Sequence, residues 1–195
     1  MTIYVSSIKL KGSKIGEQNP IPFFRDKDHD KPFKDGGLLP EERKGFGYET
    51  GFRVLPYKMQ DTYKRAEGII ELKTVVLENK NLKAEFLPEY GGRLYSLFDK
   101  KNKRELLYVN PVFQPANLAI RNAWFSGGIE WNLGQFGHTF YTCSPVFFAK
   151  CHDLRGSEFL RMYEYERCRG LFLQIDFHLP DDSEGENQSE EINPC

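Results

Sequence analysis

"IIELKTVVLENKNLKAEFLPEYGGRLYSLFDK", Ile69–Lys100, carries the pattern that decides the fold. Its first ten residues are mostly apolar and β-branched, side chains that suit a pleated, half-buried surface. "NKN" then breaks the run as a turn, and in "LKAEFL" Leu82, Ala84 and Phe86 alternate with Lys83 and Glu85. A period of two places the apolar set on one face of a strand. "RLYSLFD" and "ELLYVNP" flank the polar "KKNKR", which reads as the tip of a hairpin. Closely spaced strands joined by short turns predict an antiparallel, mainly β domain.

The pattern continues toward the C-terminus. "PVFFAKCHD", "EFLRMYEYERCR" and "GLFLQIDFHLP" follow, and the last places Leu171, Leu173, Ile175, Phe177 and Leu179 opposite Gln174, Asp176 and His178. That is a half-buried antiparallel strand. Residues 67–180 therefore form the expected sandwich region. Before it, "NPIPFF", "DKDHDKPF", "DGGLLPEERKGFGYETG" and "VLPY" interrupt every regular run with Pro or Gly. Residues 1–66 are expected to be an extended arm packed on the sandwich. Residues 181–195, "DDSEGENQSEEINPC", are acidic without Lys or Arg and read as a disordered tail.

Composition excludes several classes of function. The chain has 195 residues, enough to bury a sizeable core, and its 27 basic and 28 acidic residues nearly cancel. No electrostatic footprint for nucleic acid or an anionic membrane surface results. Aromatics make up 14% of the chain, with sixteen Phe and ten Tyr, which again favours strands. Cys143, Cys151, Cys168 and Cys195 show neither zinc-ligand spacing nor a disulfide framework. No segment approaches the ~20 apolar residues of a membrane-spanning helix, so a reduced, cytoplasmic protein is expected.

Most local motifs have bland explanations. Asp26, Asp28 and Asp30 resemble the opening of an EF-hand loop, but Lys31 stands where the turn glycine belongs and Gly37 where the bidentate Glu belongs. "GFGYETG" has the wrong glycine spacing for a dinucleotide site. "KKNKR" is a solvated hairpin tip, and the sequon Asn187-Gln188-Ser189 matters only on a secretory route. Cys143 or Cys151 beside His138 or His152 is a weak nucleophile pairing, because neighbours in sequence rarely face each other in strands.

One segment survives this filter: "AWFSGGIEWNLGQFGHTFYTCSPVF", Ala123–Phe147. Trp124 and Trp131 offer flat apolar faces; Glu130, Asn132 and His138 offer a carboxylate, a two-way amide and a titratable ring. Gly127-Gly128 permits a sharp turn or a close approach. These residue types suit a sugar, whose ring faces pack on aromatics while its hydroxyls need polar partners. The bland alternative makes the aromatics core and Glu130 a rim charge.

"LENKNLKAEFLPEYGGRLYSLFDKKNKRELLYVNPV", "WFSGGIEWNLG" and "YEYERCRGLFLQIDFHLP" together resemble a family of unknown function with a galactose mutarotase-like domain, often preceding tetratricopeptide repeats. The resemblance covers roughly Thr74–Leu179 and extends to the lead-in "NPIPFF" and "RVLPY". It implies an antiparallel β-supersandwich whose concave sheet presents a carbohydrate site, with no metal and no cofactor. In such enzymes a His protonates the ring oxygen while a carboxylate takes the anomeric proton. Carried onto this chain, the resemblance implies His138 and Glu130 as catalytic candidates and Arg93, Trp124, Trp131 and Asn132 as substrate-binding candidates. The family's His-His-Arg run is Gly137-His138-Thr139 here, which leaves one matching imidazole.

A complete supersandwich is larger than this chain, so the expectation is its N-terminal part only, with sheet edges available for self-association. The resulting expectation is a carbohydrate-binding domain with epimerase-like or glycoside-processing ancestry. Its rival is a non-catalytic scaffold or inactive fragment. A hydrolase would need a second carboxylate flanking the bond, and none accompanies Glu130. The particular sugar and linkage have no counterpart in the sequence.

Overall fold

The computed structural model describes residues 1–26, 37, 39–41, 52–65, 68–132, 138–168 and 170–180. The EF-hand-like positions 28 and 30, the "GFGYETG" loop, the sequon and the acidic tail lie outside the described residues.

The deciding stretch forms β4 (Gly68–Glu78), β5 (Leu82–Leu87) and β6 (Arg93–Asp99), consecutive antiparallel neighbours. The "NKN" turn is held by Asn79, whose side-chain oxygen accepts from the backbone N–H groups of Asn81 and Leu82. Asn favours such a turn because its short side chain mimics a backbone acceptor. β7 (Arg104–Glu105) pairs back on β6 across the "KKNKR" tip, as a polar hairpin loop requires.

The sheet is completed from the N-terminus. β1 (Thr2–Gly12), assigned by the sequence pattern to the arm, pairs antiparallel with β4 over eleven residues, from Thr2 opposite Glu78 to Gly12 opposite Gly68. β8 (Val112–Phe113) joins the far side of β1 in parallel, giving the order β7-β6-β5-β4-β1-β8. β2 (Pro22–Asp26) and β3 (Phe52–Lys58) form a separate two-stranded ribbon, and β9 (Ala116–Ala119) and β10 (Asn122–Trp124) another. β11 (Phe147–His152), β12 (Glu158–Glu166) and β13 (Leu171–Phe177) make a three-stranded antiparallel sheet. Among the described residues there is no helix, and the domain is mainly β and sandwich-like.

The two larger sheets face one another. Phe86 of β5 is 1% exposed and meets Phe148 of β11 and Phe177 of β13 at ring-centroid distances of 5.7 and 4.6 Å. Val75, Leu77, Leu94 and Leu160 fill the space around them. On the opposite face of β4, Leu72 packs with Leu87, Tyr90, Phe113 and Phe125 in a second cluster. β4 is therefore covered on both faces along its second half. This explains why "TVVL" is continuously apolar where a one-sided strand would alternate. In β13, Leu173 is buried and Ile175 and Phe177 pack inward, while Leu171 at the strand start stays exposed.

Candidate functional site

Two double-glycine turns bring the site residues together. Between β5 and β6, Gly91 and Gly92 adopt φ of 69° and 63°. A Cβ on Gly91 would stand 2.8 Å from the carbonyl oxygens of Tyr141 and Thr142, so only glycine lets this turn press against the 141–144 segment. Its N–H donates to Ser144 O at 2.8 Å, and Arg93 follows at once as the first residue of β6. The second turn, Gly127-Gly128, makes a close approach to protein backbone rather than to a ligand. Ile129 and Leu94 exchange two backbone hydrogen bonds, and a Cβ on Gly128 would lie 2.3 Å from Leu94 O. Glu130 is thereby set beside Arg93.

Glu130 is the centre of the cluster. Its Oε2 accepts from Arg93 Nη2 at 3.2 Å and Trp124 Nε1 at 2.9 Å; its Oε1 accepts from Thr142 Oγ1 at 2.7 Å and pairs with His138 Nδ1 at 2.9 Å. Burial disfavours the charge, but hydrogen bonds from Thr142, His138 and Trp124 and the Arg93 charge together hold the carboxyl below its ordinary pKa. A carboxylate can only accept. Nδ1 of His138 must therefore carry a proton, which leaves Nε2 as the acceptor nitrogen of the neutral ring.

The other residues divide into inward and outward groups. Arg93 is 2% exposed; its Nη1 donates to the carbonyls of Phe125 and Gly127, and its guanidinium carbon lies 3.8 Å from the Phe125 ring centroid. Its Nε is buried with no acceptor among the described residues. Trp131 donates from Nε1 to Gly92 O at 2.8 Å and packs its ring 5.2 Å from Phe177, in the seam between the sheets. Trp124, half-buried, lies 6.1 Å from the His138 ring. Asn132 is exposed. The fold thus joins Arg93, Trp124, Glu130 and His138 in one bonded group and turns Trp131 toward the core. Thr142, which completes the group, has no sequence signal beyond its position in an apolar run.

No group of His, Cys, Asp and Glu side chains among the described residues is arranged to hold a metal. Cys143 and Cys151 are free thiols, and burial pushes the Cys143 pKa up to about 12, which removes its thiolate character.

The fold and this cluster define a β-sandwich-like domain that holds a half-buried carboxylate. The chain belongs to the family described as a domain of unknown function, DUF5107, which matches residues 51–194. A similar solved structure is that of a TPR-domain-containing protein from Parabacteroides distasonis, with a TM-score of 0.61 at 18% sequence identity. The similarity covers 92% of this chain and 27% of that one, so the present chain spans about a quarter of the length of that protein.

Proposed function

We propose that this domain binds carbohydrate, in the manner of galactose mutarotase-like domains, through a wall formed by Trp124, Asn132 and His138. The observation that supports this reading is the anchoring of His138: Glu130 holds its Nδ1 while Nε2 has no partner among the described residues and the side chain is 35% exposed. An imidazole fixed at one nitrogen and open at the other is suited to hydroxyl recognition and to proton transfer. The Trp124 ring beside it offers an apolar face for a sugar ring.

Mutarotation needs an acid at the ring oxygen and a base at the anomeric hydroxyl. His138 would fill the first role as an imidazolium, with Nδ1–H held by Glu130 and the transferred proton carried on Nε2. Glu130, engaged by four donors, is assigned to positioning His138 and Trp124, and a base for the second role would come from another carboxylate.

A second reading, a non-catalytic scaffold, draws on Arg93 and Trp131, whose polar atoms are spent on backbone carbonyls and Glu130. One experiment separates the two. Monosaccharides and disaccharides are screened by ligand-observed NMR, reading line broadening and α/β anomer exchange on one sample. Broadening that weakens in Trp124→Ala supports carbohydrate binding. Accelerated anomer exchange that drops ~10²- to 10⁴-fold in His138→Ala with affinity retained adds proton transfer by His138. A folded sample showing neither signal leaves the scaffold.

A further inference from the structure

A cavity of about 600 Å³ lies between the β2–β3 ribbon and the start of β11, bounded also by the end of β12. It is separate from the Glu130 cluster and lies in the size range of small-molecule sites. Arg121, only 4% exposed, lines it. Its Nε donates to Lys58 O at 2.8 Å, and its Nη1 donates to Phe140 O at 3.0 Å and Ser144 Oγ at 2.6 Å. All three acceptors are neutral, and among the described residues no carboxylate pairs with Arg121. A buried cation without a counter-charge is costly, and structures normally supply one.

The neighbouring charges increase the need. Arg167 also lines the cavity, and its guanidinium carbon stands 5.4 Å from the Tyr57 ring centroid, with that of Arg121 at 5.2 Å from the same ring. Two guanidiniums thus flank one aromatic ring. Burial, with the Arg167 charge adding to it, pushes the Arg121 pKa down to about 10. Lys58 contributes a third cationic side chain to the lining, where, among the described residues, Glu164 is the one carboxylate, and the buried Glu166 stands behind the wall on the Tyr57 hydroxyl.

A second observation is independent of charge. Tyr141, 2% exposed, lines the same cavity, and its hydroxyl is buried without a hydrogen-bond partner among the described residues. An orphan buried hydroxyl on a residue that lines a cavity is a group that a molecule entering the cavity would satisfy. Phe147 and Tyr165, 58% and 43% exposed, present aromatic surface at the rim.

We propose that this cavity is a binding site for a monosaccharide bearing a carboxylate or phosphate. The anion answers Arg121 and Arg167, the Tyr141 hydroxyl and Glu164 serve ring hydroxyls, and Tyr165 or Phe147 covers an apolar ring face.

Calorimetric titration of the full chain with glucuronate, glucose 6-phosphate, glucose and inorganic phosphate tests this. At least one charged sugar is expected to bind ten-fold or more tightly than glucose or phosphate, and the stronger of the two identifies the anion. Arg167→Ala, at an exposed position, should weaken that binding about ten-fold and leave the urea midpoint unchanged; Tyr165→Ala should weaken it in the same assay. His138→Ala should leave it intact, which separates this site from the Glu130 cluster. Equal binding of glucose, equal binding of phosphate alone, no binding by either charged sugar, or full affinity in Arg167→Ala would each overturn the assignment.

Discussion

Replacing Glu130 by Gln tests the central feature of the cluster, because it keeps the side-chain shape while removing the charge and one acceptor oxygen. The amide has one orientation that fits. Its oxygen must face Arg93 and Trp124, which can only donate, and its NH₂ must face Thr142 and His138. Thr142 can accept there by turning its single hydroxyl proton from Glu130 to Thr139 O, 3.0 Å away. His138 can accept only by moving its proton from Nδ1 to Nε2. The main loss is then the charge opposite Arg93, whose side chain is 3% exposed against 14% for Glu130. A charge-assisted hydrogen bond is worth about 1 kcal/mol more than a neutral one, and the forced tautomer adds to it, so Glu130→Gln should cost about 2 kcal/mol. Glu130→Ala strips all four donors and leaves the Arg93 cation unpaired, for about 4 kcal/mol. Urea denaturation at pH 7 measures both. Nitrogen-15 NMR of the His138 ring should show the proton on Nδ1 in the parent and on Nε2 in Glu130→Gln. A Gln variant within 0.5 kcal/mol of the parent, with an unchanged tautomer, would refute the reasoning.

Other perturbations give distinct outcomes. Because the folded-state pKa of Glu130 lies below its ordinary 4.5, the stabilisation it supplies is complete above that value and decays as pH falls through the lowered one. The difference in urea midpoint between the parent and Glu130→Gln should therefore shrink on acidification below about pH 4.5; a gap that stays constant there would count against an ionised Glu130. Gly128→Ala combines φ of 70° with a Cβ 2.3 Å from a backbone oxygen, and should cost at least ~2 kcal/mol and perturb His138 resonances through Glu130. An Ala variant as stable as the parent would mean that the Leu94–Ile129 contact is not tight in solution.

Much of the architecture is local in origin and was therefore legible. The alternation in "LKAEFL", the Asn turn at 79–82 and the polar tip before Arg104 act over a few residues, so each predicts its own strand or hairpin without a partner. β1 was not legible in this way. Its pairing with β4 spans contacts such as Tyr4 with Glu78, 74 residues apart, and its largely exposed side chains leave only a weak core-facing pattern. The candidate site divides similarly. Residue types between Ala123 and Phe147 identified a cluster of aromatic, carboxylate and imidazole groups, but sequence spacing cannot tell that Trp124 joins Glu130 while Trp131 turns toward Phe177.

What the amino-acid sequence determined by itself is the mainly β character of the chain and the chemical inventory of the segment around Glu130, because strand periodicity and side-chain chemistry are properties of neighbouring residues. The tertiary structure alone decided how that inventory is used. Arg93 reaches Glu130 from 37 positions away, and Tyr57, Arg121, Tyr141 and Arg167 meet around one cavity. Such meetings are set by the two glycine turns and the packing of sheet on sheet, where burial turns ordinary polar side chains into obligatory partners.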